Sequence, residues 1–296
     1  MAQPESNKTT ALFNNAANIY DKHNGDTTTA VARFMLSLPS SPTSISSPQT
    51  LSNTKAQTEY IILDNACGTG ALTFELLHTI STSTMPNLTI HAVDISPAMI
   101  SSLTTKLTAL TLPSGVVKPC IGDAQNLPFE DSFFTHSYTN FGIFFLPDPT
   151  LGAAEIYRTL KPGGVAHIST WENLGYLELL QDSQRVVRAG IADNELFKPV
   201  YSMEWFTSEK LVETLVCGGF ERENIEIYRT QTVLVGESVE GLVGTILLPF
   251  SARLEEDNWT EGERVRLKKV IMEGLSEEQT RDCRVAMDVF VAVAVK

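Results

Sequence analysis

From residue 60 onward, the apolar residues of the chain follow two alternating patterns. Short continuous runs of Val, Ile, Leu and Phe are typical of strands buried on both faces, and they alternate with segments whose apolar residues recur at helical spacing. The pattern predicts strands over 60–64, 88–93, 116–120, 133–139 and 163–170, and helices over 70–80, 97–110 and 150–160. This order indicates an α/β, doubly wound, mostly parallel sheet with helices on both faces.

The flanking segments have other patterns. Residues 10–38 have apolar residues at helical spacing, interrupted around Asn24-Gly25, and residues 39–58 are rich in Ser, Thr and Pro, which predicts a flexible surface insertion. Residues 171–224 have a mostly helical pattern, including a helix over 208–217 that ends at Gly218-Gly219. Residues 225–235 and 284–295 are rich in Val and Ile and predict an antiparallel hairpin, split by a helical insertion at 238–280. The apolar stripe predicted for that insertion is Val265, Leu267, Val270, Ile271 and Leu275.

Composition narrows the possible partners. The 22 Lys and Arg residues against 35 Asp and Glu residues give a net charge of −13, which repels phosphate backbones and anionic membrane surfaces. Four scattered cysteines, Cys67, Cys120, Cys217 and Cys283, have neither metal-ligand spacing nor the spacing of a disulfide framework. No apolar run approaches the ~20 residues that span a bilayer. Together, the charge, the cysteine spacing and this lack of an apolar span lead us to expect a cytoplasmic protein with no metal and no nucleic-acid or membrane partner.

The first predicted strand ends in a turn of small residues, Asp64-Asn65-Ala66-Cys67-Gly68-Thr69-Gly70. Gly68 and Gly70 allow a ligand to approach the backbone closely, and the amides at the start of the next helix favour a nucleotide-like ligand. Thr73 stands where the dinucleotide fingerprint G-x-G-x-x-G has its third glycine, which disfavours NAD. The turn alone leaves open NAD, another adenosine-bearing ligand, or a structural turn without a ligand.

Three more polar segments follow the next strands. Asp94 ends the second strand and can accept both hydroxyls of a ribose, or it can be a helix N-terminal acid before Ser96-Pro97. Asp123, in Gly122-Asp123-Ala124, can accept from an adenine amine, or it can be a turn residue. The fourth strand delivers Thr139-Asn140-Phe141 to the same edge. An open α/β sheet binds its ligand at the carboxyl ends of its strands.

With these segments, the chain resembles the class I S-adenosylmethionine-dependent methyltransferases. The first turn is similar to their first motif, although Ala66 stands where a glycine is usual, and Asp94 is similar to their ribose acid. Gly122-Asp123-Ala124 is similar to their adenine motif, and Leu160-Lys161-Pro162-Gly163-Gly164 to the hairpin before their fifth strand. Leu63-Asp64-Asn65-Ala66-Cys67-Gly68 with Ser169-Thr170-Trp171 further resembles fungal small-molecule methyltransferases, including those that methylate epidithiodiketopiperazine thiols such as gliotoxin.

The resemblance implies a Rossmann-like, seven-stranded sheet with one antiparallel strand, in a single domain over 1–296. Its expected parts are a helical lid (1–38), the flexible insertion (39–58), a cofactor-binding core (59–170), and acceptor-side helices with the last strands (171–296). S-adenosyl-L-methionine is the implied cofactor. The candidates for the acceptor wall are Tyr20, Phe144, Phe145 and Trp171, and a position in the core is the alternative for each. The implied cofactor-binding residues are Tyr20, Asp64, Asn65, Ala66, Cys67, Gly68, Gly70, Asp94, Ile95, Met99, Asp123, Ala124, Asn140 and Phe141.

The implied activity is S- or O-methylation of a small secondary metabolite by a monomer or homodimer. N- or C-methylation, an NAD-dependent oxidoreductase and a non-catalytic regulator remain alternatives. Positioning and water exclusion can supply much of the catalysis, so a dedicated catalytic residue is not required. His23 and Asp21 are the nearest candidates for a base or a lid contact, and a solvated loop histidine is the alternative for His23. Cys67 is expected to be a small apolar filler, since transfer from a sulfonium needs no covalent enzyme intermediate.

Overall fold

The computed structural model describes residues 4–39, 59–79 and 87–296. Helix α1 spans Pro4–Ser37 and precedes the sheet. Almost all of the predicted insertion at 39–58 lies outside the described residues.

Seven strands form one sheet in the order β3-β2-β1-β4-β5-β7-β6. All neighbouring pairs are parallel except those of β7, which runs antiparallel to both β5 and β6. The predicted α/β, mostly parallel, seven-stranded fold is confirmed. The strands are β1 Tyr60–Asn65, β2 Leu88–Asp94, β3 Val117–Ile121, β4 Phe134–Asn140, β5 Leu160–Asn173, β6 Ile225–Val235 and β7 Arg284–Val295. The strand order reverses between β1 and β4, where open α/β sheets form their ligand crevice.

Capping residues set several helix starts. Ser96 accepts the N–H of Met99 at 3.2 Å at the start of α3, where proline occupies the first turn. Thr260 and Glu263 form a reciprocal capping box at the start of α9. After α1, the helices are α2 Ala71–Thr79, α3 Pro97–Thr108, α4 Pro149–Thr159, α5 Leu177–Val187, α6 Ser208–Cys217, α7 Val239–Leu247, α8 Ser251–Glu256, α9 Glu261–Gly274 and α10 Glu277–Asp282. Short 3₁₀ turns at Ile143–Phe145 and Met203–Phe206 adjoin the sheet edge.

The structure corrects three details of the sequence pattern. Helix α1 continues through Asn24-Gly25, because packing of its buried C-terminal half outweighs the local helix-breaking tendency of these residues. Residues 188–202 contain no helix, so the 171–224 region is less helical than predicted. Val265 is 59% exposed, because it lies two residues before Leu267 and therefore points away from the face that Leu267 and Ile271 share.

Two hydrophobic clusters meet at Trp171. The first surrounds the sheet and includes the C-terminal half of α1, and the second joins α5 to the helices inserted between β6 and β7. Trp171, near the end of β5, is half-buried and packs against both clusters. The inserted helices are therefore held next to the carboxyl edge of the sheet.

Candidate functional site

An open cleft of about 690 Å³ lies where β1, β2, β3 and β4 end. A smaller cavity of about 320 Å³ adjoins it and shares Tyr20, Ala66, Gly68 and Asn140 with it. The cleft is lined by Phe13, Tyr20, Ala66, Gly68, Asp94, Ile95, Met99, Gly122, Asp123, Ala124, Gln125, Asn140, Phe141, Gly142, Phe145, Leu146 and Pro147.

The turn between β1 and α2 has an unusual backbone. Gly68 has a φ of 54° and Gly70 a φ of 95°, and a Cβ on Gly70 would lie 2.5 Å from Cδ1 of Leu103. Ala66 has a φ of 52° without being glycine, a conformation that costs free energy and recurs at functional sites. Burial raises the pKa of the Cys67 thiol well above its usual value, which keeps the thiol protonated within this turn.

Asp64 joins β1 to the start of α2. Its Oδ2 accepts the backbone N–H of Thr73 at 3.0 Å and the Thr73 hydroxyl at 2.6 Å. Burial raises the pKa of Asp64 to about 7, although both bonds from Thr73 act in the opposite direction. The residue lines the smaller cavity rather than the main cleft.

Asp94 holds two loops together at the end of β2. Its Oδ2 accepts the N–H of Gly68 and its Oδ1 accepts the N–H of Ser96, both at 2.8 Å. Burial raises the pKa of this carboxyl, and the two N–H groups lower it. Because an ionised carboxylate offers about four acceptor positions, Asp94 can accept further hydrogen bonds from a ligand in the cleft.

Asp123 and Gln125 order the loop after β3. The Oδ1 of Asp123 accepts the backbone N–H of Gln125 at 2.9 Å and its Nε2 at 3.2 Å. The Oε1 of Gln125 accepts the N–H of Asp148 at 2.8 Å. The hydrogen bonds fix the loop at the cleft and occupy only one oxygen of Asp123 within the described ranges.

The end of β4 is fixed by Ser169 of β5. The Ser169 hydroxyl donates to Oδ1 of Asn140 at 2.8 Å and accepts the N–H of Phe141 at 2.9 Å. The Nδ2 of Asn140 donates to the carbonyl of Thr28 at 2.9 Å, which ties α1 to the same edge. Phe141 has a φ of 57° and stacks on Trp171 with ring centroids 4.1 Å apart.

Helix α1 covers the cleft. The Oδ1 of Asn14 accepts the Ser96 hydroxyl at 2.7 Å and the N–H of Ala98 at 3.3 Å. About two turns further on, Asp21 accepts the Thr69 hydroxyl and pairs with Lys106 at 2.9 Å. These contacts connect α1 to the turn after β1 and to α3.

Tyr20 lies between the main cleft and the smaller cavity. Its pKa is raised to about 12, first by burial and then by the carboxylates of Asp94 and Asp21. At neutral pH, Tyr20 is therefore a hydrogen-bond donor and not a base.

The structure brings most of the predicted site residues together. Tyr20, Ala66, Gly68, Asp94, Ile95, Met99, Asp123, Ala124, Asn140, Phe141 and Phe145 line the cleft. Asp64 and Cys67 line the smaller cavity, whereas Asn65 and Gly70 lie outside both linings and shape the turn. Their roles in binding stay predictions.

The remaining predicted residues are placed differently. Phe144 is 5% exposed and packs against Tyr201 and Trp205 rather than lining the cleft. Trp171 stacks behind Phe141, also outside the lining. Asp21 lies at the rim, bound by Thr69 and Lys106. The side chain of His23 is outside the described part of the structure.

The sequence interpretation did not assign Phe13 or Gln125 to the site, and both line it. Phe13 lies seven residues before Tyr20, so the two share a helix face, and this spacing could have identified Phe13. Its ring contacts those of Tyr20 and Phe145 at centroid distances of 6.4 and 5.1 Å. Gln125 carries no comparable signal in the sequence.

Comparison with known proteins agrees with this geometry. Residues 62–164 match the methyltransferase domain family. The chain is similar to Methyltransferase tpcH of Aspergillus fumigatus, at 25% identity over 69% of this chain and 73% of the relative. It is also similar to Methyltransferase ktnA of Aspergillus niger, at 24% identity over 75% and 78%. Acetylaranotin bis-thiomethyltransferase of Aspergillus terreus is 23% identical over 75% and 74%.

The strand order, the cleft at the switch point and the matched domain define a methyltransferase of the α/β class. By its domain over residues 62–164 the chain is an S-adenosylmethionine-dependent methyltransferase, and it resembles the class I methyltransferases, including fungal ones. None of the helices in the described ranges is long and apolar enough to cross a membrane. Among residues 4–39, 59–79 and 87–296, no group of three or more His, Cys, Asp or Glu residues is placed to hold a metal ion.

Proposed function

We propose that the protein methylates a sulfur or oxygen atom of a small secondary metabolite, such as an epidithiodiketopiperazine thiol. The observation that carries this proposal is the mixed lining of the cleft. Two carboxylates, Asp94 and Asp123, line it together with the aromatic rings of Phe13 and Phe145, whose centroids are 5.1 Å apart. The similarity to a bis-thiomethyltransferase supports a sulfur acceptor.

The residues of the cleft fit S-adenosylmethionine. Asp94 has acceptor capacity left for the ribose hydroxyls, and one oxygen of Asp123 remains for the adenine amine. The buried side chain of Met99, with Ile95, offers an apolar surface for the adenine ring. The smaller cavity behind Tyr20 would hold the amino-acid part. When bound, the cofactor supplies an electrophilic methyl group on a sulfonium.

The contribution of the chain to catalysis is positioning and water exclusion. Helix α1 covers the cleft, and holding both reactants at near-attack distance can be worth on the order of 7–11 kcal/mol. The aromatic end, formed by Phe13, Phe145, Leu146 and Pro147, has no titratable side chain. With no base among these four side chains, a thiol, with a pKa of about 8.5, would lose its proton there more readily than a phenol, with a pKa of about 10.

The proposal is tested first by calorimetry with S-adenosylhomocysteine, with NAD titrated in parallel. Benzenethiol, phenol and aniline then serve as matched acceptors in a methyl-transfer assay with labelled S-adenosylmethionine. We expect the protein to bind S-adenosylhomocysteine and not to bind NAD. The rate of methyl transfer should fall from the thiol to the phenol to the amine. Preferential methylation of aniline, or binding of NAD alone, would contradict the proposal.

A further inference from the structure

An aromatic cluster continues beyond the cleft at Phe145. The ring of Phe145 contacts Phe13 of α1 at 5.1 Å and Tyr201 at 5.6 Å between centroids, edge to face in both cases. Tyr201 also contacts Phe144 at 4.4 Å and Phe206 at 6.2 Å. Phe145 therefore has the cofactor cleft on one side and Tyr201 on the other.

A second tyrosine lies near Tyr201. Tyr176 lies three residues after the end of β5 and is buried, and it is close enough to Tyr201 to raise the pKa of its hydroxyl. Burial, and then the neighbouring Tyr176, raise the pKa of Tyr201 above its usual range. Within the described ranges, neither hydroxyl is hydrogen-bonded to another residue, and neither is a fully buried polar atom without a partner. Both hydroxyls are therefore protonated donors at neutral pH.

The surface beside Tyr201 is apolar. Val200 is 71% exposed and Met203 is 42% exposed. The charged residues that follow, Glu204 and Lys210, pair with each other at 3.5 Å. Glu204 and Lys210 therefore neutralise each other, and an apolar ring would cover the exposed hydrophobic surface of Val200 and Met203.

We propose that Phe145, Tyr201, Val200 and Met203 form the acceptor subsite, which takes an uncharged, ring-bearing molecule and donates a hydrogen bond from Tyr201 to a carbonyl oxygen. The inference rests on the proposed function, because Phe145 is shared with the cofactor cleft. The subsite defines the chemical class of the acceptor: neutral, cyclic and carrying a carbonyl near the nucleophilic atom.

Three matched thiols test the subsite. The probes are ortho-mercaptobenzamide, which is neutral with a carbonyl, benzenethiol, which lacks the carbonyl, and the anion ortho-mercaptobenzoate. We expect Tyr201→Phe to lower kcat/KM for the benzamide by about tenfold, the effect of one lost hydrogen bond, and to leave benzenethiol unchanged. Tyr228→Phe is the matched control, because Tyr228 lies on β6 and bonds only to Glu226 within the described ranges; it should affect neither probe.

A second variant tests the charge preference. Val200 is exposed, so Val200→Lys should fold. We expect this variant to lower the ratio of kcat/KM for the benzamide to kcat/KM for the benzoate. Val200→Gln, which adds polarity without charge, should leave the ratio of the two probes unchanged.

Calorimetry of each probe with the protein loaded with S-adenosylhomocysteine gives the same comparison without turnover. Preference for the benzoate, an equal loss for both neutral thiols in Tyr201→Phe, or no binding of any probe to the loaded protein would overturn the subsite. Failure of S-adenosylhomocysteine itself to bind would instead count against the proposed function. A weaker affinity of Tyr201→Phe for S-adenosylhomocysteine would indicate that Tyr201 only supports the fold, which also overturns the subsite.

Discussion

Replacing Asp94 by Asn tests the predicted ribose contact most directly. The substitution keeps the size of the side chain but exchanges one acceptor oxygen for a donor amide. In the native protein, the two oxygens accept the N–H groups of Gly68 and Ser96, both at 2.8 Å. The new amide must therefore face one of these donors, so we expect the variant to lose about 1–3 kcal/mol of unfolding free energy.

Asp94→Asn should also weaken the binding of S-adenosylhomocysteine, in addition to its effect on the unfolding free energy. A hydrogen bond to a charged group contributes about 1.5–3 kcal/mol, so loss of one ribose bond should raise the Kd of S-adenosylhomocysteine about 10- to 150-fold. Calorimetry at a temperature where the variant is folded measures this change. Asp148→Asn is the control, because the carboxylate of Asp148 also accepts a backbone N–H, that of Leu151 at 3.1 Å, but does not line the cleft.

An analogue lacking both ribose hydroxyls completes the test. If Asp94 contacts the ribose, removal of the hydroxyls should weaken binding to the native protein but have little effect on Asp94→Asn, because the two changes remove the same interaction. Equal losses in both proteins, or an unchanged Kd in a folded variant, would remove Asp94 from the site and leave it a helix N-terminal acid.

Three further predictions follow from the geometry of the turn and the rim. Burial raises the pKa of Asp64 from 3.8 to about 7, so the contribution of this carboxyl to stability is complete below pH 3.8 and is lost as the pH rises to about 7. Over that interval, the unfolding free energy of Asp64→Asn should therefore rise relative to that of the native protein, by up to the order of 4 kcal/mol. Parallel pH profiles of the two unfolding free energies would refute this. In denaturant titrations, Gly70→Ala should lower the unfolding free energy by about 2–4 kcal/mol, because of its positive φ and a collision with a leucine methyl of α3. Gly68→Ala should lower it by only about 1–2 kcal/mol, because the space around its Cβ position is open. Equal losses would contradict the steric argument. Asp21 is half-exposed and pairs with Lys106, so Asp21→Asn should change the Kd of S-adenosylhomocysteine by less than about fivefold and leave the pH–rate profile in place; a large loss of rate with a shifted profile would instead make Asp21 the base.

Several elements were predictable because their signals are local. The predicted helix over 208–217 and strands over 225–235 and 284–295 coincide with α6, β6 and β7. Capping by Thr207 and the glycine after Cys217 delimit α6, and β-branched residues favour the two strands. By contrast, Asn24-Gly25 does not interrupt α1, because the stability of a long helix depends on what its buried face packs against.

The sequence by itself determined the sheet and the edge that carries the cleft. Strands that alternate with helices form a parallel sheet, and the carboxyl ends of parallel strands meet at one edge. The sequence alone therefore predicts that the segments around Gly68, Asp94, Asp123 and Asn140 lie together. The sequence also indicated special backbone conformations at Gly68 and Gly70, whereas the positive φ of Ala66 was not predicted.

Only the tertiary structure decided what covers and extends that cleft. Helical spacing indicates which residues share a face, but not which element the face meets, so the contact of Asn14 with Ser96, 82 positions away, could not be derived. Phe144 and Phe145 are adjacent and chemically identical, yet the first packs inward and the second lines the cleft. Tyr201 reaches Phe145 from a loop more than fifty residues later, and such long-range packing is set by how the whole core fills space rather than by any local pattern.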